Sequence, residues 1–206
     1  WLNDYLDDHN ISYIGSNREA LENEYDKSVA KDIIRKSNIN TADFFTSCPG
    51  EYKNKESLPV NFPLFIKPIT GGDSRGIDQG SIVNNFEDFE NKVSSINKNQ
   101  KSNSLIEAYL SGKEYSVGIL QESITGNLTA MPIEITTKEN INGHCILDFD
   151  IKKNDEEIVT AVTDIKIFRD LEKIAKKSFI ALGGKSFGRI DIKMDHLGRG
   201  HFMEAN

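Results

Sequence analysis

Three stretches of the chain carry apolar residues at helical spacing. From about Asn17 to Lys36, Leu21, Tyr25, Val29 and Ile33 form one stripe, and Ser16 followed by Glu19 reads as a capping box. The pattern predicts a single helix that fades at Ser37-Asn38. A second helix is predicted from about Phe86 to Ile96, with Asn85 as N-cap and Phe86, Phe89, Val93 and Ile96 on one face. A third spans about Asp164 to Leu182 and turns Phe168, Leu171, Ile174, Ala175, Phe179 and Leu182 inward; Gly183-Gly184 ends it. Between them lie short runs rich in Ile, Val, Phe and Tyr that predict strands at 62–69, 79–83, 104–110, 113–120, 128–137, 144–150, 187–194 and 200–204. Lys98–Asn103 and Lys152–Glu157 read as polar connectors. Strands mixed with few helices favour α+β, or an α/β sandwich, over a barrel. Leu110-Ser111-Gly112 separates two strands and marks a domain boundary near 109–113.

Composition narrows the class. The chain has 206 residues, 37 % hydrophobic and 28 % charged, which fits a folded domain or two. Two cysteines, Cys48 and Cys145, exclude a disulfide scaffold, and no apolar run approaches the ~18 residues of a membrane span. With 32 acidic side chains against 25 Lys and Arg, a net charge of −7 gives no support to a nucleic-acid partner. No basic n-region of a signal peptide precedes Tyr13, and the sequon at Asn127 has no secretory context. Opening on Trp1 and stopping on Glu204-Ala205-Asn206, the chain reads as a piece of something longer.

The candidate chemistry is concentrated near the C-terminus. Alternation along 187–194 puts Arg189, Asp191 and Lys193 on one face and Ile190, Ile192 and Met194 on the other. Asp195–Gly200 reads as a hairpin loop, and on the return strand Glu204 and Asn206 share a face. If the hairpin closes, two carboxylates and a carboxamide converge as a hard-oxygen set suited to Mg²⁺, with Arg189 beside it to neutralise anionic oxygens. The competing explanation is an ordinary solvated hairpin face, which pattern alone favours. The scattered His9, His144, His196 and His201 give no support to zinc.

Upstream, Lys67 interrupts the apolar run 62–69, so it either snorkels or is held for an anion. The following Thr70–Ile77 loop has three glycines, Ser74 and Arg75, and offers phosphate-capable donors; it is neither a P-loop nor a dinucleotide fingerprint, and a plain turn is the alternative. Glu107 sits in the apolar run 104–110, and Glu114 follows it by seven residues. Together these suggest a nucleotide slot between two sheets with Tyr109 at its hinge.

Taken in order, FPLFIKPITGGDSRGI, LIEAYLSGKEYSVGIL, MPIEI and ALGGKSFGRIDIKMDHLGRGHFMEAN resemble the ATP-grasp ligases, most closely the D-alanine:D-alanine ligase family. The resemblance starts at Ile11 and runs through Asp26–Lys31 to the end of the chain. It implies an ATP-grasp fold of two α+β subdomains. The expected segments are 1–24 (end of a substrate domain and linker), 25–110 (central subdomain) and 111–206 (truncated C-terminal subdomain). By the same resemblance, Lys31, Lys67 and Lys152 reach ATP phosphates, and Ser74 and Gly76 belong to the loop over them. Glu107, Ala108, Tyr109 and Leu110 receive adenine, Met203 packs on it, and Glu114 takes the ribose. Asp191, Glu204 and Asn206 hold Mg²⁺ (two ions, with Mn²⁺ an alternative), and Arg189, with Ser74, is catalytic.

The implied activity is ATP-dependent amide formation through an acyl phosphate in a cytoplasmic, cell-wall biosynthetic enzyme. It would act on small amino acids or peptides, without nucleic acid or membrane, in a homodimeric parent. Alternatives are a ligase for a different pair, or a MgATP-binding module without ligation. Four positions depart from the family: Asp73 and Arg75 in the glycine loop, Lys153 where a tyrosine is usual, and Lys193 where an apolar adenine contact is usual. An Asp73–Lys153 pair is one expectation from this set.

Overall fold

Asp26 breaks the first predicted helix. The computed structural model describes residues 2–72, 74–137, 149–154 and 156–206. In it the chain begins with α1 (Leu2–Asp8) and α2 (Arg18–Tyr25), then α3 (Lys27–Lys36). Asp26 adopts an extended conformation and its carboxylate accepts from the amides of Ser28 and Val29, so it starts a new helix inside the predicted one. The break resets the phase. Tyr25 and Val29 from the predicted stripe are exposed, whereas Ala20, Ala30 and Ile34 are buried. Nor is Ser16 the cap: Asn17 accepts from the Ala20 amide, and Ser16 Oγ accepts from the Lys185 amide at 3.0 Å.

The rest comprises β1 (Phe44–Ser47), β2 (Leu64–Pro68), β3 (Ile82–Val83), α4 (Phe86–Gln100), β4 (Ser104–Ala108), β5 (Glu114–Gln121) and β6 (Leu128–Thr136). These are followed by α5 (Phe149–Asn154), β7 (Ile158–Ala161), α6 (Ile165–Ala181), β8 (Phe187–Met194) and β9 (Gly200–Ala205). The later helices lie where the sequence places them: Asn85 is the N-cap of α4 as expected, Asp164 proves to be the N-cap of α6, and α6 ends before Gly183 at φ +82°.

Differences cluster where elements are short or polar. β1 and β7 are only four residues long each, too short for alternation to stand out. The stretch 79–83 is a 3₁₀ turn (Gln79–Ser81) before two strand residues. Helix α4 continues through Lys98 to Gln100. The connector 152–157 contains the end of α5, and Phe149 and Asp150, assigned to a strand from sequence, are helical. Residues 144–148 of that predicted strand lie outside the described residues.

Contacts group the chain into two units. One combines Trp1–Thr41, Gly112–Ile135 and Val159–Asn206; the other combines Ala42–Ser111 and Thr136–Ile158. The contiguous segments 1–24, 25–110 and 111–206 do not coincide with these units, because α3 buries Ala30 and Ile34 in the same core as Ile190, Ile192 and Phe202. In the first unit an antiparallel sheet in the order β7-β6-β5-β8-β9 carries that core on one face, with Leu171, Ala175 and Phe179 of α6 packed into it. In the second, a sheet in the order β1-β4-β2-β3 buries Leu64, Ile66 and Ile106 with Phe89, Val93 and Ile96 of α4. Both sheets are antiparallel within α+β units, as the fold class anticipated.

Candidate functional site

In the first unit the pairing of β5, β8 and β9 builds a face three rungs tall. Glu114 and His201 lie opposite Lys193; Ser116 and Glu204 lie opposite Asp191; Gly118 lies opposite Arg189. Arg189 and Asn206 exchange both backbone hydrogen bonds at 2.8 Å. Directly opposed residues share a face, so Glu114, Lys193, Ser116, Asp191, Glu204 and Arg189 all project on the side away from Ile190 and Ile192.

A bulge makes this possible. The register passes from Asp191↔Glu204 to Ile192↔Phe202 and leaves Met203 opposite no residue. Strict alternation would put Phe202 on the face of Glu204. With the extra residue, Phe202 instead faces the core at 0 % exposure while Glu204 stays beside Asp191.

Asp191 is the centre of the arrangement. Its Oδ1 accepts from Ser116 Oγ at 2.7 Å and Arg189 Nε at 3.0 Å; its Oδ2 accepts from Arg189 Nη2 at 3.0 Å and Asn206 Nδ2 at 3.1 Å. Four donors fill the roughly four lone-pair positions of a carboxylate. Burial pushes the Asp191 carboxyl above its ordinary range; the Arg189 charge opposes this and the Glu204 charge adds to it. Glu24 on α2 is raised too, first by burial and then by the Glu204 charge. Nothing in the sequence signalled Glu24 or Ser116 as members of this neighbourhood.

Two carboxylates forced together, one of them buried, fit a hard divalent cation. Among the described residues no group of three His, Cys, Asp or Glu side chains is placed to hold a metal. An ion here would use Asp191, Glu204 and, after rotation of its amide, the Asn206 oxygen, with water or phosphate completing the shell.

One rung away, Lys193 Nζ donates to Glu114 Oε2 at 3.0 Å, with side-chain exposures of 11 % and 16 %. Beyond it, Asp195 organises the hairpin loop by accepting from the amides of Leu197 and Arg199, from Arg199 Nε at 2.7 Å and from His201 Nε2 at 3.2 Å. Burial works against ionisation, but the hydrogen bonds from Arg199, His201 and Leu197 win and hold the Asp195 carboxyl well below the usual carboxylate range. Lys31, fully buried on α3, donates to Thr41 Oγ1 and, at 3.5 Å, to the Phe202 carbonyl. It stands where Asn40 and Thr41 meet β9.

The second unit holds the other candidates. Lys67 Nζ and Glu107 Oε2 form an ion pair at 2.9 Å with exposures of 2 % and 7 %. The buried lysine is therefore matched by the acid of the neighbouring strand, which the sequence had treated separately. Ala108 and Tyr109 are tied by their amides to the carbonyls of Asp43 and Pro63 at 2.8 and 3.0 Å, and Leu110 follows, half-buried. In the glycine loop Ser74 has φ +54° and Gly76 φ +80°. A Cβ on Gly76 would lie 2.8 Å from Pro68 Cγ, so both the dihedral and the close approach demand glycine. Lys152 lies on α5, but its side chain, like Asp73, is outside what the structure describes; so, therefore, is an Asp73–Lys153 pair.

Residues 33–206 match the family described as D-ala D-ala ligase C-terminus. The chain belongs to this family. The D-alanine–D-alanine ligase of Buchnera aphidicola subsp. Schizaphis graminum is 32 % identical over 157 residues, 75 % of this chain and 47 % of that protein. That of Aquifex aeolicus is 29 % identical over 200 residues, 95 % of this chain and 62 % of its own length. The chain thus spans about half to three-fifths of these relatives. Among solved structures, the D-alanine–D-alanine ligase from Bacillus anthracis complexed with ATP superposes with TM-score 0.77 at 22 % identity, covering 100 % of this chain and 62 % of that one. The D-Ala:D-Ser ligase VanG from Enterococcus faecalis gives 0.75 at 20 % identity, covering 100 % of this chain and 58 % of that one. At these identities the structural likeness establishes the ATP-grasp fold.

Proposed function

We propose that the chain is the ATP-binding part of an ATP-dependent carboxylate–amine ligase that joins small amino acids, D-alanine foremost, into an amide through an acyl phosphate. The observation that supports this best is the Ser116–Asp191–Glu204 rung with Arg189 beside it, in a chain of the D-ala D-ala ligase C-terminal family. Within the first unit, Asp191, Glu204 and Asn206 would hold Mg²⁺, Lys31 would serve phosphate, Glu114 the ribose and Met203 adenine. Within the second, Lys67, Lys152, Ser74 and Gly76 would serve phosphate, and Glu107, Ala108, Tyr109 and Leu110 adenine.

Mg²⁺ (two ions, with Mn²⁺ a substitute), if held by Asp191, Glu204 and Asn206, would supply screening of phosphate charge against an incoming carboxylate. Asp191 fixes the position of that charge because Ser116 and the sheet register hold its rotamer. Arg189 is 47 % exposed at its side chain, so its guanidinium can leave Asp191 for the oxygens that become anionic in the transition state. The glycine loop, with Ser74 and Gly76 in left-handed conformations, would offer backbone donors to phosphate oxygens. No protein nucleophile is needed.

Cytoplasmic location, a role in cell-wall synthesis and a homodimeric parent belong to the same proposal. Among the described residues no helix is long and apolar enough to cross a membrane. The test is phosphate release from MgATP with a panel of amino acids. The chain spans about half to three-fifths of its relatives and is expected by itself to bind MgATP better than it ligates, so release is measured on the full-length parent: release with D-alanine supports the reading, release only with another pair moves the substrate, and MgATP binding without release under any pair overturns ligation.

A further inference from the structure

We propose that Lys193 is a second ribose-reading group, which with Glu114 forms a donor–acceptor pair for the two vicinal hydroxyls of the nucleotide. This rests on the MgATP reading above and extends it to a residue of this chain that the reading leaves without a role.

The Lys193–Glu114 pair leaves hydrogen-bonding capacity unused. A lysine ammonium carries three donors and no acceptor. Among the described residues the Lys193 ammonium uses one of them, on Glu114 Oε2. Its side chain is only 11 % exposed, so bulk water has little access to the other two. Glu114 has the complementary surplus: Oε2 is engaged, while Oε1 accepts from no group among the described residues. The same-face neighbour across the sheet, His201, is committed through Nε2 to Asp195, and its Nδ1 makes no hydrogen bond to Lys193. Glu114 is only half-buried, so Oε1 keeps contact with solvent and is open to a ligand donor.

The geometry selects the ligand chemistry. Glu114 and Lys193 are directly opposed across β5 and β8, so Oε1 and the spare N–H groups project side by side from one rung. A hydroxyl both donates and accepts. A vicinal diol matches the pair atom for atom: one hydroxyl donates to Oε1, and the oxygen of its neighbour accepts from Nζ. The alternative, that the ion pair is merely structural, leaves Oε1 and two N–H groups unused in a half-enclosed place. Asp191 stands two residues along β8 from Lys193, about 6.8 Å away at the usual strand rise. A nucleotide with its ribose on the Glu114–Lys193 rung therefore runs its phosphates toward the Asp191–Glu204 rung without bending back.

The pair also fixes charge. Lys193 neutralises Glu114, so the rung approaches the ligand with little net charge and does not repel the phosphates one step away. A charge-assisted bond lost with either hydroxyl is expected to weaken binding about tenfold.

The test is calorimetric titration of the protein with MgATP and with its 2′-deoxy and 3′-deoxy analogues, for wild type, Lys193→Met, Lys193→Arg and Glu114→Gln. Wild type should prefer MgATP over both analogues by about tenfold. Lys193→Met should lose discrimination against one analogue and keep it against the other. Lys193→Arg should restore a large part of it, which a simple packing role would not do. Should Lys193→Met fail to fold by circular dichroism, the wild-type and Lys193→Arg profiles still decide: equal binding of all three nucleotides by wild type overturns the inference. Unchanged discrimination in a folded Lys193→Met also overturns it while leaving the MgATP reading intact. Absence of any MgATP binding by wild type overturns that reading instead.

Discussion

Removing the Lys67 ammonium, in Lys67→Met, leaves Glu107 charged inside the second unit and takes away the lysine charge beside it. The two groups are 2.9 Å apart, with side-chain exposures of 2 % and 7 %. At an effective dielectric of 20 their attraction is about 6 kcal/mol. Desolvating two ions costs several kcal/mol each, so the intact pair contributes little net stability. Truncation is a different matter, because the desolvation cost of Glu107 stays and the attraction goes; the expected loss is about 3–5 kcal/mol. The double variant Lys67→Met/Glu107→Leu removes both charges and should return to within ~2 kcal/mol of wild type. Urea unfolding measures this, with hydrogen exchange at the Leu105 and Ile106 amides reporting on this unit separately. The double variant should also fold yet fail to bind MgATP, which separates the pair's service to a ligand from its service to the fold. If Lys67→Met unfolds within 1 kcal/mol of wild type, or the double variant is as unstable as the sum of the singles, the account of a desolvated, mutually dependent pair is wrong.

Three further outcomes are expected. Gly112→Ala places a Cβ 2.6 Å from the Met194 carbonyl oxygen and 2.8 Å from that of Asp195; these are backbone atoms that cannot rotate away, so thermal unfolding should show a loss of about 1–3 kcal/mol. Asp195, held below the ordinary carboxylate value of 3.8, contributes stability that is present above that value and lost as pH falls below it; an acid titration of unfolding should be flatter there for Asp195→Asn than for wild type, and parallel curves would refute this role. Arg189→Met should lower the ligation rate at least a hundredfold while leaving MgATP binding within a few-fold, since the guanidinium acts on charge that develops in the transition state; equal losses in binding and rate, measured by calorimetry and phosphate release, would assign it to ground-state binding instead.

Periodicity alone determined the existence of α4 and α6 and the Asn85 cap, though not the last turn of α4, because a long apolar stripe and a capping side chain are local properties. It also determined the face shared by Arg189, Asp191 and Lys193, since strand alternation needs no partner. The ordered motifs were enough to indicate the family, which the match over 33–206 established.

Tertiary structure decided what depends on distant residues. The Asp26 break was invisible to the stripe that crosses it, because helix phase is fixed by what each half packs against. The Met203 bulge could not be read from β9, because it exists only in the register with β8. The pairing of Lys67 with Glu107, and of Lys193 with Glu114, joins residues 40 and 79 positions apart in sequence. Sequence supplied these charges one at a time. Burial in a low-dielectric interior requires that they be matched, and only the fold specifies which charge matches which.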